Sequence, residues 1–276
     1  MRYGHLSRRW LYPLISWGLA ITVILAQPIA SQALPWGDLI LRGIQVIQIA
    51  NMSDRQEIQL GQAINSELVK RQIRLYRDPD ITQYVAAIGQ RVAAQSQRPQ
   101  LPYVFQVIDS QQVNAFATLG GYVYVNTGLL KLADNEAELA SVLSHEVGHI
   151  AARHVVKKMK EQTLASGVAS LAGVSRNVLV GIGVQLAMNL PHSRAAEYEA
   201  DQLGLISLQR SGYAPSAMPT FMAKLLKSRS VPEFLSSHPA TEERVKRLEQ
   251  AIDPATADFG DGLNPVPYRN RMRSLG

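Results

Sequence analysis

Apolar residues recur at spacings of three and four from Ile81 through Val85 and Ile88 to Val92, which predicts an amphipathic helix over 81–94. An earlier helix is predicted from Ser53 to Arg77, because Ser53 and Gln56 have the spacing of a capping box and Asp78-Pro79 stops the run. The period then changes. Tyr103 to Ile108 and Tyr122 to Val125 are β-branched and aromatic runs bounded by Pro, Asp and Gly, so both predict strands. Val113 to Ala117 offers a third strand and Gly120-Gly121 a turn. These segments predict a small antiparallel β-sheet ahead of the main helix.

That helix is expected from the cap Asn135, with Glu136 and Glu138 in its first turn, to about Lys160. Leu139, Val142, Leu143, Val147, Ile150 and Ala151 give it a buried face. From Leu164 to Leu190 the chain is apolar and small apart from Arg176 and Asn177. It reads as two buried helices joined at 175–177, the other reading being contact with a membrane surface. Further helices are predicted at Ala195–Gln209, Ala217–Lys227 and Glu242–Ile252. The Pro-, Gly- and Asp-rich stretch 253–276 reads as a flexible C-terminal tail. The fold class is therefore α+β and mainly helical, with one domain over 53–252.

The first residues read as an address. Arg2, Arg8 and Arg9 precede an apolar run from Trp10 to Ala26, and small residues at Ser31 and Ala33 make a cleavage site, so 1–33 is read as a signal peptide. The competing reading is an uncleaved anchor. Ser7-Arg8-Arg9 also permits twin-arginine export. Residues 34–52 read as a linker. The formal charge of +6 falls to +3 without the three leader arginines, too mild a value to indicate nucleic acid. There is no cysteine, so disulfides, thiolate metal sites and a cysteine nucleophile are excluded. Any metal must sit on His, Asp or Glu.

His145-Glu146-Val147-Gly148-His149 has that chemistry. Residues four apart share a helix face, so both imidazoles can reach one Zn²⁺ while Glu146 flanks it as a general base. A catalytic zinc needs a third protein ligand. His154, nine residues past His145, falls on the far side of a continuous helix and reads as structural or exposed. A metzincin would need histidine where Val155 stands. Glu197 and Asp201 lie four apart on a predicted helix. Glu197 can ligate and Asp201 can hydrogen-bond a ligand histidine, against the alternative of an acidic solvated face.

Several motifs in order carry a resemblance: Asn114-Ala115-Phe116-Ala117, Gly120 to Val125, His145 to His149, Ser193 to Asp201, and Ser237-His238-Pro239-Ala240-Thr241. Over about Ser53 to Glu249 the chain resembles the gluzincin metallopeptidases that include the CAAX prenyl protease and the HtpX-type heat-shock protease, and above all their exported bacterial branch. The resemblance implies a zincin-like domain with one zinc per chain, with Glu197 as third ligand and Asp201 supporting a ligand. It implies that His238 approaches the metal, either stabilising the oxyanion or closing the site in a resting form. It also implies that Asn114, Ala115, Phe116 and Ala117 form an edge strand for substrate.

The function expected is zinc-dependent hydrolysis of peptide bonds in unfolded or misassembled envelope proteins. The location expected is the periplasm or another part of the envelope. The alternative is an exported chaperone or assembly factor with latent proteolysis. A zinc hydrolase of non-peptide bonds is a third reading, made remote by the resemblance. Oligomeric state is not encoded in these patterns.

Overall fold

The computed structural model of the chain describes residues 52–165, 176–189, 191–228, 232–239 and 241–275. The leader read at 1–33 and all but the last residue of the linker lie outside them. Helix α1 (Asp54–Arg71) starts with the reciprocal cap its spacing predicts: Ser53 Oγ accepts from the Gln56 amide, and Gln56 Oε1 accepts from the Ser53 amide. In α2 (Pro79–Ala93) the predicted face of Ile81, Val85, Ile88 and Val92 is buried, and Asp78 caps the Asp80 amide.

Strands β1 (Val104–Ile108), β2 (Ala115–Ala117) and β3 (Tyr122–Asn126) form one sheet in the order β1-β3-β2. The sheet is mixed, a correction to the antiparallel expectation. β2 and β3 are antiparallel with Phe116 opposite Tyr124, whereas β1 and β3 are parallel with Phe105 opposite Val123. The chain crosses over after β1 to form β2 on the far side, so β3 returns between the two. Gly120 and Gly121, with φ of 74° and 100°, make the turn. Side-chain alternation splits the interior. Phe105, Val107, Ala115, Ala117, Val123 and Val125 face a large core, and Phe116 and Tyr124 face a second one.

After the short α3 (Thr127–Leu132), the main helix α4 (Glu136–Ala151) starts where Asn135 Oδ1 accepts from the Glu138 amide. It stops well short of Lys160. Arg153 turns left-handed with φ of 58°, and α5 (His154–Ala165) sets off in a new direction. Distant groups impose this break: Arg98 Nη1 donates to the Ile150 carbonyl, and Arg153 reaches Glu57 and the Met52 carbonyl. A non-glycine residue holds that conformation only when its surroundings compensate.

Helix α6 (Arg176–Asn189) packs Leu179, Val180, Ile182, Val184 and Leu186 against the second core, whereas residues 166–175, on which the first of the two expected helices and the start of their joint fall, lie outside the described residues. No described helix is long and apolar enough to cross a membrane. Then come α7 (Arg194–Arg210), α8 (Ala217–Leu226), the short α9 (Glu233–Ser237) and α10 (Glu242–Ala251), with Ser193 capping α7 and Thr241 capping α10.

The tail expected to be flexible is instead docked, and it ends in α11 (Pro265–Met272). Tyr268 is buried and donates to the Leu130 carbonyl at 2.7 Å, while the Ala137 amide donates to the Gly262 carbonyl. A Cβ at Gly262 would lie 2.7 Å from the Ala137 amide nitrogen, so glycine there permits close approach rather than mobility.

Candidate active site

The site is made where α4 crosses α7. A Cβ at Gly148 would meet the Ala200 carbonyl oxygen at 2.6 Å and one at Gly204 the Ser144 carbonyl at 2.9 Å, so glycine on both helices lets their backbones touch. That contact carries Glu197 of α7 over His145 and His149 of α4. His145 Nε2 lies 3.0 Å from His149 Nε2 and 3.4 Å from Glu197 Oε2, and His149 Nε2 lies 3.3 Å from Glu197 Oε1. His238, just past α9, brings its Nδ1 to 3.3 Å from His145 Nε2 and 3.2 Å from Glu197 Oε1. All four side chains are buried, and the four donor atoms lie within 4.8 Å of one another.

This donor set fits a metal ion. Nitrogen and oxygen ligands at about 2.0–2.1 Å from a tetrahedral ion sit about 3.3 Å apart, close to the 3.0–3.4 Å of the individual contacts above. Asp201 Oδ1 lies 3.0 Å from His145 Nδ1 and favours a proton there, so the lone pair of Nε2 points at the Glu197 carboxylate. Two acceptors facing each other in a dry interior call for a cation between them. The same place favours positive charge carried by a proton on His145, which a metal ion would displace. Burial opposes charge on His145, yet Asp201 and Glu197 outweigh it and push the imidazole up to about 9. Burial likewise opposes charge on Glu197, yet His238 and His149 hold it well below the usual carboxylate range. Both oxygens of the buried Glu146 lack a hydrogen-bond partner, and His238 Nε2 stands 3.4 Å from one of them.

The structure places the Asp201 carboxylate against His145 and shows why it is fixed there. Arg244 of α10 grips it with Nε and Nη2, each at 2.7 Å, and places Nη1 2.6 Å from Glu197 Oε2 and 3.0 Å from the Pro239 carbonyl. Arg244 is only 2% exposed. The motifs do not single it out. The one available signal is a cation in the first turn of α10, where the helix dipole disfavours positive charge.

Two further histidines crowd the cluster. His154 is buried beside His149, a correction to the expectation that it turns away, because α4 breaks at Arg153. His192, which no motif marks as part of the site, lies over His149 with ring centroids 4.1 Å apart.

Asn114 to Ala117 lie outside the donor cluster, with β2 at the edge of the sheet and packed against α4. The Asn114 carbonyl accepts from Asn126 and the Thr118 amide donates to Tyr122, so residues 114, 116 and 118 face β3. The backbone groups of Ala115 and Ala117 therefore turn outward. At the start of this edge the Val113 carbonyl accepts from the Phe234 amide of α9 at 2.9 Å.

A helix bearing two histidines and a glutamate, joined by a glutamate from a second helix, defines a metallopeptidase of the gluzincin kind. Residues 79–252 match the model of peptidase family M48, and the chain belongs to that family. It is similar to the beta-barrel assembly-enhancing protease of Yersinia pestis, 35% identical across 94% of this chain and 57% of the relative. It is similar to metalloprotease LoiP of Escherichia coli (strain K12), 30% identical across 74% of this chain and 81% of the relative. It also matches the mitochondrial metalloendopeptidase OMA1 of Arabidopsis thaliana, 38% identical across 58% of this chain and 33% of the relative. The chain spans about half the length of the beta-barrel assembly-enhancing proteases it matches.

Proposed function

We propose that this chain is a zinc-dependent endopeptidase of the cell envelope, with His145, His149 and Glu197 as metal ligands and Glu146 as general base. Its substrates on this reading are unfolded or misassembled proteins, an assignment supported by the β-barrel assembly in the names of its relatives. The observation that carries the reading is the buried convergence of donor atoms next to a glutamate with no hydrogen-bond partner of its own. When bound, zinc supplies a Lewis acid that polarises a carbonyl and makes water acidic near pH 7. Burial raises Glu146 above the ordinary carboxylate range, which makes it a stronger base. It takes a proton from water and returns it to the leaving amine. Asp201 orients His145. On this reading the edge of β2 pairs with an extended substrate once the cover over the buried Ala115 and Ala117 moves aside, which selects for unfolded segments rather than for one side-chain sequence.

His238 has two positions in this mechanism. With Nδ1 where it stands, beside His145 Nε2 and Glu197 Oε1, it would hold the metal as a further ligand and latch the site, and on moving away it would donate to the developing oxyanion. The presence of His238 in the donor cluster also favours the second reading, an assembly factor that holds clients and cuts slowly.

The test is cleavage of casein by the wild type, Glu146→Gln and a chelated sample, with zinc measured on each. The expected result is about one zinc and cleavage for the wild type, and zinc with cleavage reduced about 10²–10⁴-fold for the variant. Zinc binding with no cleavage, together with cleavage unlocked by His238→Ala, would favour the latched assembly factor. Absence of zinc in the wild type would end the reading.

A further inference from the structure

We propose that His154 is a positioning residue of the metal site: it fixes the tautomer and ring orientation of His149 and ties that ligand to Glu199 at the surface. The proposal rests on the metal site of the preceding reading and extends it to residues with no assigned role.

His154 uses both ring nitrogens. Its Nδ1 lies 2.8 Å from His149 Nδ1, and its Nε2 lies 3.1 Å from Glu199 Oε2, an oxygen that also pairs with Lys157 Nζ at 3.2 Å. The protons can be placed by what each partner is able to do. A carboxylate held by a lysine only accepts, so His154 Nε2 carries a hydrogen. A neutral imidazole then has an acceptor at Nδ1, and the 2.8 Å contact requires a hydrogen on His149 Nδ1. The remaining lone pair of His149 is on Nε2, the atom that points into the donor cluster. The chain thus makes His149 a ligand in advance of binding. Ligand histidines usually gain this from a carboxylate or a carbonyl, and such partners are worth about 10–100-fold in metal affinity. His145 has the usual kind of partner in Asp201. His149 has a second imidazole backed by a carboxylate.

The left-handed turn at Arg153 makes this geometry possible, since on a continued α4 His154 would point away from the site. The turn is held from afar. Glu57 of α1, only 1% exposed, pairs with both Arg153 and Arg98, and Arg98 in turn donates to the last turn of α4 at Ile150. This buried ion cluster, otherwise unexplained, sets the break that aims His154.

The test is zinc affinity of the full chain by competition with a chromophoric chelator, for the wild type and for His154→Asn, His154→Gln and His154→Ala. The Asn oxygen stands near the place of Nδ1 and accepts from His149. Gln keeps a donor toward Glu199 and offers nothing at Nδ1. Asn is expected within about 3-fold of wild type, with Gln and Ala weaker by about 10–100-fold. The visible spectrum of the Co²⁺-loaded protein should move with the affinity. Should His154→Ala lose its fold, the Asn and Gln variants at matched melting temperatures decide the matter. Equal affinity in all variants overturns the proposal and leaves the metal site standing. So does an Asn variant as weak as Gln, since the role is then packing alone. A wild type that takes no zinc removes the underlying reading, and the proposal goes with it.

Discussion

The two faces of α4 are both buried, and they are held by different physics. Leu139, Leu143, Val147 and Ile150 lie in the large apolar core. His145, Glu146 and His149 meet imidazoles and carboxylates, and the guanidinium of Arg244 holds those carboxylates in turn. The apolar face needs only area removed from water and close packing, neither of which is directional. The polar face needs a particular partner for each atom, because a buried polar group left alone keeps its full desolvation cost. Damage should therefore be graded by volume on one face and decided by single partners on the other.

The largest effect that would break this contrast is at Arg244. Arg244→Ala leaves the carboxylates of Asp201 and Glu197 without their buried cation. Removing one member of such a cluster costs about 3–5 kcal/mol. The shift in urea midpoint of the metal-free protein measures it. Arg244→Lys should recover only part of the loss, because an ammonium cannot reproduce the two-pronged grip on Asp201. If Arg244→Ala costs no more than alanine at the exposed Arg210, the polar face is not decided by single partners.

Leu143 gives the matching test on the apolar face. It is fully buried, and Leu143→Ala should cost about 3 kcal/mol by the same measurement. Leu143→Met keeps most of the volume and should cost less than about 1.5 kcal/mol. Zinc affinity of the folded protein should stay within a few-fold in both. A large loss of zinc binding from Leu143→Met would mean that the faces are coupled through packing and would sharpen the comparison into a dependence.

What is legible in the sequence follows the same division. His145, Glu146 and His149 are readable because helical spacing is local, and so are the caps at Ser53 and Asn135 and the face of α2. Glu197 and Asp201 are readable as a pair on one face, but their link to the histidines depends on family resemblance, as does that of His238. The features hidden from the sequence depend on distant partners. Nothing in Ala151-Ala152-Arg153 announces a helix break, since neither glycine nor proline is present; Glu57 and Arg98 impose it. Arg244 sits among Glu242, Glu243, Lys246 and Arg247 and looks like one more solvated charge. The parallel pairing of β1 with β3 is hidden because a strand's side-chain pattern reports its faces and not its neighbours. The tail's composition suggests mobility, whereas Gly262 and Tyr268 make specific contacts with Ala137 and Leu130.

The smallest expected effect probes a polar contact that belongs to stability rather than to the metal. At the start of α4, Glu136 accepts from Tyr84 at 2.6 Å and from Tyr213 at 2.9 Å. Burial first, and then the Glu136 carboxylate, raise both phenols far above their ordinary range. Unfolded tyrosine titrates near about 10. A folded value above that means the contribution is fully present below about pH 10 and is lost as pH rises further. The difference in melting temperature between the wild type and Tyr213→Phe should be constant between about pH 7 and 9, where His145 titrates alike in both, and shrink above about 10. Tyr213→Phe should cost about 1 kcal/mol at neutral pH and make the alkaline fall shallower. A difference between the two proteins that changes below about pH 9, or that does not shrink above about 10, would place the alkaline sensitivity elsewhere. The polar contacts at the head of α4 would then count among the interchangeable ones.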